Sequence, residues 1–330
     1  MVKQKINLDI KDRKILLALD EDSRQPVSKI ARKVRLSKDV VNYRIKRLES
    51  QNIIKSYYTV LDVSKLGYYN FRVFLNFYNV TPEKEMEIIN YLYNHPRVGW
   101  LVSIDTRWDA NMLVWAENVY VFKKFWDEFL RLYKNYLEDK WISVITEMIL
   151  FTRGFFLEKG EQYEPNKQIV GGSEEKAVLD KSDLKILKII ANDARLSLVD
   201  IGKKTNLSPK VIEYRIKNLI QKKVILGFKA MLNHDLLGIL YYKVHFTLQN
   251  MTVAKEKELM TYAETHPNIF IVDSTVGGAD FEIEVGVRSV AEFRGLINDL
   301  KRRFSGIIRE LESFNYPKEY KWVYLPLETK

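Results

Sequence analysis

The chain repeats itself. Leu8–Asp9 aligns with Leu179–Asp180 at an offset of 171 residues, and the offset holds without a gap through Leu36–Ser37 and Leu207–Ser208. It continues through Tyr43-Arg44-Ile45-Lys46 and Tyr214-Arg215-Ile216-Lys217, then Leu66–Gly67 and Leu237–Gly238. Between 8–67 and 179–238, 22 of 60 positions are identical, and the register persists at His95–Pro96/His266–Pro267 and at Phe122/Phe293. The repeat is far longer than the roughly 20–50 residues of a solenoid unit. The 330 residues therefore read as a duplicated two-domain protein, with a polar linker at 158–178 that contains Pro and Gly and lacks apolar periodicity.

Charge divides each copy in two. The whole chain carries 53 Lys and Arg against 43 Asp and Glu, a net +10. Residues 1–66 hold 16 basic against 8 acidic side chains, and 179–238 hold 12 against 6, so these two segments carry +14 and the remainder sums to −4. Two matched basic modules on a slightly acidic body predict two heads that bind an anionic partner. Solvated helical faces would account for the charge alone, but not for the pattern beneath it.

Asp9 precedes Ile15, Leu16 and Leu19, apolar positions at helical spacing, and Asp12 lies near the third helical position. Asp180 and Asp183 repeat this before Ile186, Leu187 and Ile190. Aspartate there accepts from free backbone amides and complements the positive helix end. A second short helix spans about 27–34 and 198–205. A third follows Ser37 and Ser208, natural N-caps, with Pro209 at the first helical position, where no amide is needed. The third helix buries Val41, Ile45 and Leu48, or Ile212, Ile216 and Leu219. Its other face carries Lys38, Asp39, Asn42, Tyr43, Lys46 and Arg47, or Lys210, Glu213, Tyr214, Lys217 and Asn218. Stretches 53–60 and 224–231 read as short β wings. Three short helices with a polar, cationic third helix predict a winged helix-turn-helix, whose third helix fits the major groove of double-stranded DNA. The candidate DNA-binding residues are those of the two polar faces together with Ser37 and Ser208. A trihelical protein-interaction module is the plain alternative.

At these residues the sequence resembles the Lrp/AsnC (feast/famine) family of transcription regulators. The motifs are LDIKDRKILLALDEDSR and LSKDVVNYRIKRLESQNIIKSYYTVLDVSKLGY in the first copy, and LDKSDLKILKIIANDARLSLVDIGKKTNLSPKVIEYRIKNLIQKKVILGF in the second. The resemblance covers nearly the whole chain apart from the linker. It implies a winged helix joined to a ferredoxin-like (RAM-type) domain that dimerises and often takes an amino acid or related small effector.

The near-neutral segments agree on their own terms. Residues 68–80 alternate as a strand, Thr81-Pro82-Glu83 opens a helix, strands follow near 98–105 and 110–116, then a helix over 121–136 and a strand over 142–151. The second copy repeats the series at 240–248, 252–265, 269–276, 281–287, 289–304 and 307–314. The order β-α-β-β-α-β is ferredoxin-like. The predicted class is thus α+β, a tandem repeat of winged helix-turn-helix plus βαββαβ sandwich. The domains are 1–66, 67–157, 179–238 and 239–330, joined by the linker. One face of each such sheet is bare, so the two copies are expected to pair within the chain as a pseudo-dimer, with further homo-oligomerisation. Extensions after Phe151 and Tyr320 are expected to add β contacts.

The copies diverge at one turn. Copy two reads Val276-Gly277-Gly278-Ala279-Asp280, close to the glycine-plus-acid turn of the family, whereas copy one reads Thr106-Arg107-Trp108-Asp109. Gly277, Gly278 and Asp280 are the candidate effector residues, since glycine lets a ligand approach the backbone. A plain hairpin turn is the alternative. Five of the six tryptophans (Trp100, Trp108, Trp115, Trp126 and Trp141) fall in copy one and are expected in core and interface packing. His95 and His266, in His-Pro pairs, are expected to cap helix carbonyls.

Other classes are poorly served. The chain has no cysteine and four scattered histidines, and it lacks a P-loop, a dinucleotide-binding glycine motif and a Ser–His–acid set. We therefore expect neither metal nor cofactor, no catalytic residue, and a non-enzyme. Siroheme decarboxylases share the two-domain architecture but need His and Arg at an anionic tetrapyrrole. The strand 98–105 offers no His, and the basic excess lies in the heads. A nucleoid-architectural protein would use the same heads with little sequence preference. No apolar run approaches a membrane span and the N-terminus is too charged for a signal peptide, which predicts a cytoplasmic protein with no membrane partner.

Overall fold

The computed structural model describes residues 8–157 and 161–325. The first copy runs α1 (Ile10–Glu21), α2 (Val27–Val34), α3 (Lys38–Ser50), β1 (Ile54–Leu61), β2 (Tyr69–Phe77), α4 (Pro82–Asn94), β3 (Val98–Ser103), β4 (Ala110–Ala116), α5 (Val119–Tyr133) and β5 (Leu137–Leu150). The linker supplies β6 (Gln168–Gly171). The second copy runs α6 (Lys181–Ile190), α7 (Leu198–Thr205), α8 (Pro209–Gln221), β7 (Ile225–Leu232), the short α9 (His234–Leu237), β8 (Leu240–Leu248), α10 (Val253–Thr265), β9 (Ile269–Val276), β10 (Phe281–Val287), α11 (Val290–Arg303), β11 (Ile308–Asn315) and β12 (Glu319–Trp322).

In each head the caps act where the sequence places them. Asp9 accepts from the Asp12 amide at 2.7 Å, and Asp12 accepts from the Asp9 amide at 3.3 Å. Asp180 and Asp183 form the same reciprocal box at 2.8 and 3.2 Å. The third helix then locks onto this box. Arg44 reaches Asp9 and Asp12 at 2.7 and 2.8 Å, and Arg215 reaches Asp180 and Asp183 at the same two distances. The first copy adds Arg47, 2.6 Å from both oxygens of the buried Asp12. Beneath the caps lie Ile15, Leu16, Leu19, Val41, Ile45 and Leu48, continuous with Ile186, Leu187, Ile190, Ile212, Ile216 and Leu219 in one apolar core. Each such side chain contributes about 1.5–3 kcal/mol by leaving water.

That core is continuous because the wing strands pair with each other. β1 and β7 form a two-stranded antiparallel sheet in which Tyr58 faces Lys229, its own counterpart 171 residues on. Neighbouring bonds obey the same symmetry: the Ser23 amide donates to the Phe228 carbonyl, and the Ala194 amide to the Tyr57 carbonyl. A pseudo-two-fold axis therefore passes through the Tyr58–Lys229 pair. Beside it the carboxylate of Asp20, fully buried, accepts from Arg153 at 2.6 Å and from Lys229 at 3.4 Å.

The bodies join by exchanging their last strands. Each body has the ferredoxin-like strand order, β5-β2-β4-β3 in the first copy and β11-β8-β10-β9 in the second. The first half of β5 pairs with β2, and its end crosses to β9, where Met148 faces Asp273. The symmetric partner of that contact, Glu319 facing Val102, carries β12 onto β3. On β2 alternate residues Phe71, Val73, Leu75 and Phe77 face α4 and α5. On β8, Val244 and Phe246 face α10 and α11. The opposite faces meet, giving four layers, helix–sheet–sheet–helix.

Between the sheets lies a mixed interior. Phe74, Trp100, Trp108 and Phe314 pack together there, flanked by Trp141. Trp115 and Trp126 are buried in the first body, so the tryptophans do serve packing. Beside them Arg72 binds Asp273 at 2.7 Å and also Glu282, while Lys243 binds Asp273 and, at 2.9 Å, Glu282. His245 stands edge-on to Phe74, Trp141 and Phe314.

Three details differ from expectation. The linker is partly a strand, β6, laid along the end of β5. After Phe151 the chain enters a 3-10 turn at Gly154–Phe156 instead of extending, whereas Tyr320 lies inside β12. The His-Pro rings make a contact that the sequence did not suggest. The Nδ1 atoms of His95 and His266 accept from the amides of Arg97 and Asn268, both at 3.2 Å, and so close the turn that follows each helix.

Two outcomes follow. Among the described residues Asp183 has Arg215 as its one cation, whereas Asp12 keeps Arg47 if Arg44 is lost. Arg215→Ala is therefore expected to lower the melting temperature more than Arg44→Ala, read by calorimetry. Burial pushes the His245 imidazole below its ordinary 6.5, so the unfolded chain takes up this proton first as pH falls. The folded chain loses stability below about pH 6.5, by at most ~1.4 kcal/mol per pH unit for this one group. His245→Phe, the residue copy one has at this place (Phe74), should lessen the fall in melting temperature between pH 7 and 5 without removing it, because burial pushes His234 and His266 down in the same way.

Candidate nucleic-acid interface

The exposed faces of α3 and α8 present the same core motif. Tyr43 and Tyr214 stand out from their helices, 67% and 70% exposed. Around them Lys38, Asp39, Asn42 and Lys46, or Lys210, Glu213 and Lys217, are exposed as the periodicity predicts. The structure therefore brings these sequence-predicted residues to one face of each head. Ser37 and Ser208 lie at the start of that face, their hydroxyls accepting from the Val40 and Val211 amides at 3.3 and 3.4 Å. Their primary work is capping.

The two faces are not electrostatically equal. Lys46 has no ion-pair partner among the described residues, whereas Lys217 binds Glu213 one turn earlier at 2.8 Å. That pair is exposed and weak, but an approaching phosphate must compete with the carboxylate. Arg47, read from the sequence as part of the binding face, is spent on Asp12. Its counterpart Asn218 is half-buried. Arg24 and Arg195 are likewise withdrawn: each donates across the head–head contact, Arg24 to the Ala194 carbonyl and Arg195 to the Ser23 carbonyl.

Sequence reasoning missed two features. Val40 and Val211 are exposed on the same face, 41% and 40%, where an apolar group can meet a thymine methyl. Their identity at an otherwise polar position in both copies was the available signal. Arg32 and Arg35, with Lys203 and Lys204, are exposed at the C-terminal ends of α2 and α7, next to the turn that leads into α3 or α8. Basic side chains there can neutralise phosphates.

The Gly277–Asp280 turn is used internally. Gly277 adopts φ +77°, and the Trp141 indole of the first copy donates to its carbonyl at 2.6 Å. Asp280 accepts from the Leu248 amide at 2.7 Å. A Cβ on Gly278 would lie 2.2 Å from the Thr275 hydroxyl. The turn thus closes the β9–β10 hairpin and docks it against copy one. Among the described residues no group of three or more His, Asp or Glu could hold a metal ion, and no helix is long and apolar enough to cross a membrane.

Known proteins match both copies. A family model described as winged helix-turn-helix DNA-binding matches residues 8–55 and again 179–225. An HTH-type transcriptional regulator of Pyrococcus horikoshii is 30% identical over 120 residues, covering 36% of this chain and 78% of that protein. The leucine-responsive regulatory protein of Haemophilus influenzae is 30% identical over 130 residues, covering 39% of this chain and 78% of that protein. Each relative thus spans about one copy. Over its whole length the fold is similar to a siroheme decarboxylase structure, with TM-score 0.61 and 13% identity, covering 96% of this chain and 94% of that one. That likeness concerns the fold. The motifs, the paired heads and these relatives together show that the chain belongs to the Lrp/AsnC family, with the helix-turn-helix duplicated.

Proposed function

We propose that this chain is a sequence-specific, double-stranded DNA-binding regulator of transcription in which one molecule supplies both reading heads. The observation that carries the reading is the pair of exposed helices α3 and α8, related by an axis through Tyr58 and Lys229. Two-fold related heads suit two half-sites on one DNA face. Here the half-sites are unequal, because Asn42 and a Lys46 without an ion-pair partner among the described residues face one of them, and Glu213 with a paired Lys217 faces the other. Tyr43 and Tyr214, with Val40 and Val211, supply the contacts common to both.

The enzyme reading finds less support. The cations between the sheets, Arg72 and Lys243, are already bound to Asp273 and Glu282, and aromatic side chains fill the space beside them. An anionic tetrapyrrole would have to displace carboxylates to reach them. A non-catalytic role is therefore part of the proposal. Purified protein should show no Soret band and no change of absorbance on adding iron-uroporphyrin.

Selection of genomic DNA fragments by the purified protein at near-physiological salt tests the main reading. The expected result is enrichment of a few sites with unequal half-sites. Retention of DNA without enrichment would mark an architectural protein, and no retention would end the DNA reading.

Single-site variants separate the heads. Lys46→Ala should reduce the slope of log affinity against log salt by about 1 and weaken binding to all sequences. Lys217→Ala should do less, because its charge is shared with Glu213. Glu213→Gln should tighten binding at low salt by freeing Lys217. Fluorescence anisotropy at several salt concentrations reads all three, and equal slopes for all would remove α3 and α8 from the interface.

A further inference from the structure

The surfaces that join the two copies are unlike at positions related by the offset of 171, and the differences are charges. At the head–head axis one side holds Asp20, Arg153 and Lys229. The corresponding positions on the other side are Ala191, Tyr324 and Tyr58, and there Tyr58 and Tyr324 stack at 4.5 Å. Lys229 is 3% exposed and stands directly opposite Tyr58 in the antiparallel pair. Between the sheets Arg72 and Lys243 are corresponding positions, but the carboxylates all come from copy two. Asp273, Glu282 and Glu284 have Val102, Asn111 and Leu113 as counterparts.

We propose that these two buried clusters form a pairing code, by which each copy accepts the unlike copy as its partner and rejects a second copy of itself. The unlike pair balances. Arg72 and Lys243 meet Asp273 and Glu282, and Glu284, whose carboxyl burial pushes up, is held by the Tyr241 hydroxyl. Two first copies would bring two Arg72 side chains to the inter-sheet space and no carboxylate at these positions. Two second copies would bring two lysines against six carboxylates there. They would also set Lys229 against Lys229 on the axis, with Ala191 where Asp20 supplies the counter-charge. A buried charge left without its partner is far more costly than one exposed to water, and like charges directly opposite on paired strands repel. The code acts against like pairs in this chain, and equally against pairing with a single-copy relative that lacks the complementary charges.

The intact chain can be made to carry a like pair. Tyr58→Lys places two lysines on the axis, as two second copies would. Tyr58→Met removes the same ring without adding charge. Ala191→Asp restores, in mirror image, the acid that Asp20 supplies. Equilibrium urea unfolding of the full chain at pH 7 reads each variant. Tyr58→Lys should raise the unfolding equilibrium constant at least tenfold above Tyr58→Met, and adding Ala191→Asp should recover most of that difference. A Tyr58→Lys chain that does not fold counts as the expected loss, provided that the double variant folds. Equal effects of Lys and Met, or no recovery on adding the acid, would overturn the code. A second measurement uses the full chain with a protease site placed between Leu157 and Glu161, cut after purification, unfolded and refolded. Native mass spectrometry should find unlike pairs at least a hundredfold above like pairs, and like pairs at their statistical share would overturn the proposal.

Discussion

The β1–β7 pair is the contact on which the rest of the architecture depends. It contributes one strand from each copy, and it orders everything on both sides of it. Above it, two three-helix heads share one apolar core, so neither head is complete alone. Below it, the chain runs through short turns into two sheets placed face to face. The axis through Tyr58 and Lys229 fixes the heads relative to each other and the bodies relative to the heads. Asp20 satisfies the lysine that this pairing buries, so the strand pairing and the charge pairing cannot be separated.

Duplication within one chain has allowed the copies to divide their labour. In a symmetric dimer, a residue on the axis meets itself, and a charge there meets a like charge. Once the copies are separate stretches of sequence, one can keep tyrosine and the other can take lysine. The same freedom explains the inter-sheet space, where copy one supplies the tryptophans and copy two supplies the acids. It also explains the recognition helices, whose common Tyr-Arg-Ile-Lys motif is flanked by Asn42 in one head and Glu213 in the other.

Much of this was legible in the sequence, and the reasons differ by element. The caps at Asp9, Ser37, Asp180 and Ser208 are local, and local chemistry decides them. The six elements of each body follow from periodicity, which reports burial of one face. What the sequence did not carry was the identity of distant partners. β1 and β7 read as strands, but their mutual pairing spans 171 residues and leaves no local trace. Arg72, Lys243, Glu282 and Glu284 sit on the alternate face that normally meets water, and here that face meets another sheet. Arg47 shares the polar side of α3 with Lys46, and the depth of Asp12 in the fold decides that it is spent there. The Gly277–Asp280 turn was legible as a turn, whereas the indole docking on it from the other copy was not.

The strand exchange between the bodies sets an order of events during synthesis. Copy one leaves the ribosome first, with β1 and the far half of β5 as open edges. The partners of those edges, β7 and β9, are encoded more than 100 residues later. At roughly 5–20 residues per second, the nascent first copy waits some seconds to tens of seconds before β9 can cover it. Unpaired strand edges in that interval are templates for aggregation. The polar linker is delivered next, and its β6 strand pairs with the same residues of β5 as β9 does, from the opposite side, so it closes one edge of that strand while the edge reserved for β9 stays open until the second copy is made.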